Sequence, residues 1–383
     1  MSLPPFLIGI GGSSSSGKTT LATLLREVFT GAIDSIPYDT SDPIDGGAET
    51  VLLQQDDFFI PRGQAPRTRF RPASPADNYV TRGVPRDDVG FVAAENRDSI
   101  EAIRWAEFVD AVYDAKYTRR VNGAIMATAK TLSDLRERSS VGGSFQEAQD
   151  MVGRECKRQR ELNKKLYREQ TRNLQYQGTY FRQGHKPRDD ADGLPGDDNH
   201  PWVVCNVGIV EGFLLLANAP SPQTKGATAT ATTTTTQEAQ PADDHWAHMA
   251  AVERALDVKL FLHTTKPTAA ARRFRRRCYT DADTLLGDDD EAACPDRRVP
   301  GELWKARGYF DDVAWPEYEA CHTRFVNGMI GGAHGTPPPV EGVHVCAEGM
   351  SIGDTLLWAV QTILEGLAAR EEEWREKWRL GEA

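Results

Sequence analysis

The chain has few cysteines, no surplus of basic residues and no long apolar run, and each shortage excludes a class of function. Its six cysteines (Cys156, Cys205, Cys278, Cys294, Cys321 and Cys346) are scattered without a Cys-x-x-Cys pair, so neither a zinc framework nor a disulfide scaffold is indicated. Lys and Arg number 45 against 56 Asp and Glu, a formal net charge of -11. That balance argues against general binding of nucleic acid or anionic membrane, because phosphate-rich surfaces reward excess Lys and Arg. No apolar stretch reaches the roughly 18 residues expected of a membrane span. A secretory leader is not expected either, since the apolar start runs straight into Gly and Ser. Hydrophobic residues make up 39% of the 383, enough for a substantial core. The expectation is an acidic, soluble protein of the cytoplasm, with the nucleus also open to it.

Length alone suggests two domains, or one enlarged by insertions. Residues 6–10 (Phe-Leu-Ile-Gly-Ile) read as a buried strand ending in Gly11 and Gly12. From Lys18 onward, Leu21, Leu24, Leu25 and Val28 recur at helical spacing. Further strands are expected at 51–53, 202–210, 258–263 and 343–346. Helices are expected at 99–113 (capped by Asp98 or Ser99), 268–278 and 351–379. Residues 60–90 read as a long surface loop. The segment 145–173 is charged and helical in propensity, and its basic middle reads as a solvated face. The tract Ala227 to Thr236 cannot bury a core and is disordered by composition. Strands alternating with helices imply an α/β fold, a mostly parallel sheet with helices on both faces. We therefore expect one domain over 1–383, with 31–50, 115–200 and 219–245 as insertions or disordered loops.

The strongest chemical signal is Gly12-Ser13-Ser14-Ser15-Ser16-Gly17-Lys18-Thr19, which satisfies G-x-x-x-x-G-K-[ST] between a strand and a helix. In such a loop successive backbone N–H groups point inward at phosphate oxygens, helped by the positive end of the helix dipole. Lys18 then reaches the β/γ-phosphates, and the Thr19 hydroxyl joins a Mg²⁺ shell, with Thr20 beside it. The pattern implies ATP and Mg²⁺ as nucleotide and cofactor. Asp56 and Asp57 follow the second strand, on the sheet edge where ligands of parallel α/β folds bind. A carboxylate there can accept a proton from a hydroxyl attacking the γ-phosphate. Glu211 ends a strongly apolar strand, where a lone carboxylate needs a partner; Mg²⁺ or its water supplies one. Among Arg272, Arg273, Arg275, Arg276 and Arg277, the pair Arg273 and Arg277 shares one helix face suited to phosphate contact. Arg275 and Arg276 read as a solvated basic face. The aromatic group Tyr309, Phe310, Trp315 and Tyr318 reads as core.

Together these motifs resemble nicotinamide riboside kinases, within the P-loop uridine kinase-like nucleoside kinases. The resemblance rests on the Ser-rich P-loop, Gln55-Asp56-Asp57-Phe58-Phe59, Asn96-Arg97-Asp98-Ser99, Val210-Glu211-Gly212-Phe213, the Arg272/Arg273/Arg277 helix and Gly308-Tyr309-Phe310-Asp311 with Trp315-Pro316 and Tyr318. Phe325-Val326-Asn327-Gly328 is similar to fungal members in particular. It covers the expected core in order and leaves out the insertions. The resemblance implies ATP-dependent phosphorylation of the ribose 5′-hydroxyl of nicotinamide riboside, with nicotinic acid riboside also accepted, in NAD biosynthesis. It implies Asp56 as general base that also touches ribose and metal, Phe58 and Phe59 lining the nucleoside pocket, Asp98 holding ribose hydroxyls, and Arg273 and Arg277 in an ATP-side lid. Asp57 matches a motif position without a separate role. The metal would be shared by Thr19, Asp56 and Glu211.

Two positions depart from the family pattern. Arg97 stands where an aromatic residue usually stacks on the pyridine ring. A guanidinium there is unfavourable for a cationic nicotinamide and suits the carboxylate of nicotinic acid riboside; alternatively Arg97 turns outward and Trp105 supplies the ring contact. Phe274 replaces an arginine of vertebrate members. The open alternatives are a uridine- or cytidine-type or other small-metabolite kinase, and a non-catalytic nucleotide-binding module. A guanine-reading N-K-x-D motif is missing, since the only Asn-Lys, Asn163-Lys164, lacks the Asp. The expected partners are ATP and a small nucleoside, with neither nucleic acid nor membrane, for a monomer or homodimer.

Overall fold

Phe6–Gly12 (β1) is apolar and buried along its whole length, as a strand covered on both faces must be. The structure is a computed structural model; it describes residues 5–34, 50–73, 75–118, 142–159, 161, 207–218, 243–276, 302–326 and 340–380. After β1 come Lys18–Asp34 (α1), Thr50–Gln54 (β2), Arg67–Phe70 (β3), Pro75–Val80 (α2), Val92–Glu95 (β4) and Trp105–Tyr113 (α3). A helix over 142–159 (α4), Val207–Glu211 (β5), Asp243–Ala255 (α5), Val258–Leu262 (β6) and Lys266–Phe274 (α6) follow. Trp315–Cys321 (α7), His344–Cys346 (β7) and Ile352–Leu380 (α8) close the chain.

Five strands form one parallel sheet in the order β2-β5-β1-β6-β7. Because side chains alternate along a strand, β1 serves two cores at once. Phe6, Ile8 and Ile10 pack with Leu21, Leu25 and Val28 of α1 and Leu356 and Val360 of α8. Leu7 faces the other layer, which holds Phe108 and Val112 of α3, Met249 and Val252 of α5, and Tyr309 and Phe310. The fold is therefore α/β, a five-stranded parallel sheet flanked by helices. No helix among the described residues is long and apolar enough to cross a membrane.

Several elements differ from the sequence expectation. Residues 60–90 are not a continuous loop, because β3 pairs antiparallel with β4 (Arg67↔Glu95 to Phe70↔Val92) and α2 follows. Only Phe70 of β3 is buried, so the strand carries almost no apolar signal. The expected helix at 99–113 is divided: a 3₁₀ turn, Ile100–Ala102, precedes α3. Neither Asp98 nor Ser99 caps α3; Arg104 stands at its N-cap without a side-chain bond. Within the expected insertion 115–200, the helical propensity of 145–173 is realised over 142–159, and α4 packs on the core, burying Ala148, Val152 and Cys156 beside α1 and α8. Spaced by four residues, these three form one helical stripe. Lys157 and Arg158 are exposed, as the solvated-face reading has it, and Arg158 also bonds Glu155 and Glu371. The expectations for 35–49, 162–206, the Thr/Ala tract, Arg277 and Asn327-Gly328 lie outside the described residues.

Candidate active site

All five strands of the main sheet run parallel, so their C-terminal ends share one edge. There β1 gives way to Ser13–Gly17 and then to the N-terminus of α1. The turn needs its glycines. Gly12 has φ 141°, and a Cβ there would lie 2.5 Å from the Leu262 carbonyl oxygen; Gly17 has φ 104°. Both angles lie where L side chains are strained. Ser15 also adopts a positive φ, 66°, which curls the loop inward. The Ser13 carbonyl accepts bonds from the Ser16 N–H (3.2 Å) and from Lys18 Nζ (2.8 Å). The hydroxyls of Ser13, Ser15 and Ser16 are buried and lack hydrogen-bond partners among the described residues. Buried hydroxyls without partners at a helix N-terminus suit an anion.

Register brings Glu211 to the P-loop. It pairs across from Ile10 on one side and Gln54 on the other. Its Oε1 accepts from Thr19 Oγ1 at 2.9 Å and Gln54 Nε2 at 3.1 Å. Glu211 is only 4% exposed. Burial raises its pKa, with Lys18 pulling the other way and Asp56 adding to the rise. Lys18 is lowered by burial, against the attraction of Glu211 and Asp56.

Asp56 lies on the 3₁₀ turn Gln55–Phe58 that follows β2. The residue is exposed, and it lies on the wall of a cleft. The cleft walls strip hydration and raise its pKa; Lys18 opposes the rise and Asp98 adds to it. A cavity of about 270 Å³ joins Asp56 to Ser14, Ser15, Lys18, Thr19, Glu211 and Arg273, and also to Phe59, Arg97 and Asp98. Lys18, Arg97, Arg273 and Arg276 face Asp56, Asp98 and Glu211 across it. The loops bearing Asp56 and Asp98 are tied together: Ile60 N–H donates to the Ala102 carbonyl at 2.9 Å, and Arg104 N–H to the Phe58 carbonyl at 2.8 Å.

Buried Tyr309 donates its hydroxyl to Asp98 Oδ2 at 2.9 Å and accepts the Arg97 N–H at 3.1 Å. The Arg97 guanidinium lies over the Phe59 ring, 4.7 Å from its centroid. Arg273, 4% exposed, bonds Ser14 Oγ at 2.9 Å and the Trp304 carbonyl at 2.8 Å. Arg272 reaches the Ser16 carbonyl at 3.2 Å.

A second cavity, about 330 Å³, adjoins the first through Ser15 and Arg276. It runs past Gly17 and Thr20 to Arg272, the loop after β7 and the apolar side chains of Leu24 and Met350. His263 also borders it, with both ring nitrogens buried and unpartnered among the described residues and its pKa lowered by burial.

Several expected site residues stand elsewhere. Phe58 packs on Phe108 at 5.1 Å, turned into the core, because adjacent residues of a 3₁₀ turn point in different directions. Asp57 does not line the cavity; its carbonyl accepts a bond from Arg104 at 3.0 Å. Trp105 does not substitute for Arg97, being buried with its indole N–H on the Ile100 carbonyl. Phe274 stacks edge-on against Phe310. Arg276, read as a solvated residue, lines both cavities, whereas Arg275 lines neither. Tyr309 is core, as its pattern implied, and its hydroxyl also reaches the site. No sequence spacing signals that contact, since the partners lie 211 residues apart.

Among the described residues no group of three or more His, Cys, Asp or Glu could hold a metal. Magnesium does not require one, since it is usually held by one or two carboxylates plus substrate phosphates. Thr19 Oγ1, Glu211 and Asp56 line one cavity, and both donors to Glu211 fall on Oε1. These residues fit such an ion. Compared with known proteins, the chain matches no protein-family model and no curated protein.

Proposed function

We propose that this protein is a P-loop kinase that transfers the γ-phosphoryl group of ATP to the 5′-hydroxyl of a riboside of the nicotinamide riboside type. The observation that carries the reading is one cavity holding a P-loop lysine, a Thr–Glu pair suited to a metal and, on the turn after β2, an aspartate with no hydrogen bond or ion pair among the described residues. The sheet order, which numbers 2-3-1-4-5 along the five strands, puts these groups on a single edge.

ATP would lie along the two cavities. Its base would occupy the larger one between Arg272 and the loop after β7, with the phosphates on the backbone N–H groups of the P-loop. Lys18 would leave the Ser13 carbonyl for the β/γ-phosphates, exchanging one oxygen for a charged one. Arg273 and Arg276 would neutralise charge that develops on the transferring group. Mg²⁺, held through Thr19 and Glu211 with Asp56 nearby, would offset phosphate charge. Asp98, oriented by Tyr309, would take the ribose hydroxyls and present the 5′-hydroxyl to Asp56. Asp56 would accept its proton as the oxygen attacks in line. The chemistry asks little covalent work of the protein; most of the acceleration comes from positioning and charge.

A coupled assay of ADP release over a panel of ribosides, with ATP and GTP as donors, tests the reading. Riboside-dependent ADP release supports it. Nucleotide binding without transfer to any riboside removes it and leaves a nucleotide-binding module.

A further inference from the structure

The Arg97 guanidinium lines the cavity beside Phe59 and Asp98. It carries five N–H donors and accepts nothing, yet it makes no hydrogen bond among the described residues. Its Nη1 forms an ion pair with Glu95 Oε2 at 3.5 Å but, although buried, makes no hydrogen bond among the described residues. The other Glu95 oxygen is occupied by the Gly63 N–H. Partly buried guanidinium groups normally satisfy their donors.

Its position separates it from the phosphate machinery. Lys18 and Arg273 already bond the P-loop. Arg97 instead follows β4, next to Asp98, and lies over Phe59. Phe213 stacks against the same ring, at 6.0 Å and 23°, which fixes the plane of the Phe59 ring. The backbone N–H of Arg97 is held by Tyr309. A planar cation is thus held beside an aromatic ring at the acceptor end of the cavity, with donors unfilled.

We infer that Arg97 makes the site selective for an acceptor bearing a carboxylate on its ring, remote from the reacting hydroxyl, so that of two pyridine ribosides the carboxylate is used in preference to the carboxamide. The inference rests on the kinase reading above and names its substrate class. A ring carboxylate can take two parallel N–H···O bonds from a guanidinium. A carboxamide offers one acceptor oxygen and turns two donors toward a donor-only partner. The pyridinium ring of the amide also brings an uncompensated positive charge to Arg97, whereas the carboxylate compensates it within the ligand.

The test is kcat/KM for nicotinic acid riboside and nicotinamide riboside at saturating Mg·ATP, with wild type, Arg97→Gln and Arg97→Lys. A charge-assisted bidentate contact predicts a wild-type preference for the carboxylate of about 10- to 100-fold. Arg97→Gln should bring the ratio near unity, mainly by raising KM for the carboxylate, and Arg97→Lys should keep part of it. Arg97 also acts on Asp56 through its charge, and that effect is common to both acceptors and cancels in the ratio. Calorimetric binding of the two ribosides to wild type gives the same comparison without a variant. A ratio near unity, a preference for the amide, or a ratio unmoved in Arg97→Gln overturns the inference while leaving the kinase reading in place. Transfer to neither riboside overturns the reading itself, and the inference with it.

Discussion

Replacing Asp56 by Asn keeps the shape of the side chain and removes its charge and its capacity to take a proton. Asp56 faces the cavity shared by Lys18, Thr19 and Glu211, so little else in the site should move. Loss of a positioned general base costs about 10²–10⁴ in rate, or about 2.7–5.4 kcal/mol of transition-state stabilisation at 1.36 kcal/mol per decade. On the kinase reading ATP affinity should stay level or rise, because the substitution removes a negative charge from the cavity that would receive the polyphosphate, while Lys18 keeps Glu211 beside it. Only ionised Asp56 can accept the proton, and its pKa is raised by lost hydration against the opposing pull of Lys18. Wild-type kcat/KM should therefore fall as pH drops through a value above the ordinary aspartate pKa of about 3.9. The residual rate of the variant should lack that acid limb. Initial rates of ADP release across pH, with ATP affinity from calorimetry, measure both. A kcat close to wild type, or the same acid limb in Asp56→Asn, refutes the base assignment.

Tyr309→Phe removes the hydroxyl that bonds Asp98 and receives the Arg97 N–H; we expect a rise in riboside KM of about 10-fold, from a bond to a charged group worth roughly 1.5–3 kcal/mol, with ATP KM unchanged. For Glu211→Gln the sign follows from a pKa raised mainly by burial: ionising Glu211 costs folded-state stability as pH rises above its unfolded pKa. The variant should have the higher Tm near neutral pH without ligand and lose most of the stabilisation that Mg·ATP confers, as thermal melts with and without the ion would register. Val152→Ala in α4 tests whether that helix belongs to the core. Its side chain is fully buried, so truncation should cost about 2 kcal/mol, a fall in Tm of roughly 4–8 °C, whereas a helix lying loosely on the surface would show almost none.

The parts legible in the sequence are those where one local signal governs. β1, the P-loop and α1 follow from an apolar run, two glycines and a Leu/Val stripe, and Leu21, Leu24, Leu25 and Val28 are all buried. Lys18, Thr19, Asp56 and Glu211 share a single cavity because motifs at strand ends of a parallel sheet converge; Arg97 and Asp98, after β4, and Arg273, on α6, line the same cavity. Where several weak effects compete, the reading failed. The stripe of α4 consists of Ala148, Val152 and Cys156, outweighed in sequence by surrounding charge. β3 exposes most of its side chains. Phe58 and Phe59 diverge because a tight turn, not composition, decides their direction. Arg276 enters the site although it lies off the Arg273 face, as the chain leaves α6 at Phe274 and no longer follows helical spacing.

The central claim is that this cavity joins a phosphoryl group to a riboside hydroxyl. Phosphorus NMR of the protein with Mg·ATP and a pyridine riboside observes that bond directly. The account predicts that loss of the ATP γ-resonance is matched by ADP and by a new phosphomonoester signal coupled to the protons on the ribose 5′-carbon. Inorganic phosphate as the sole new species, or an ATP spectrum unchanged by any riboside, would contradict it.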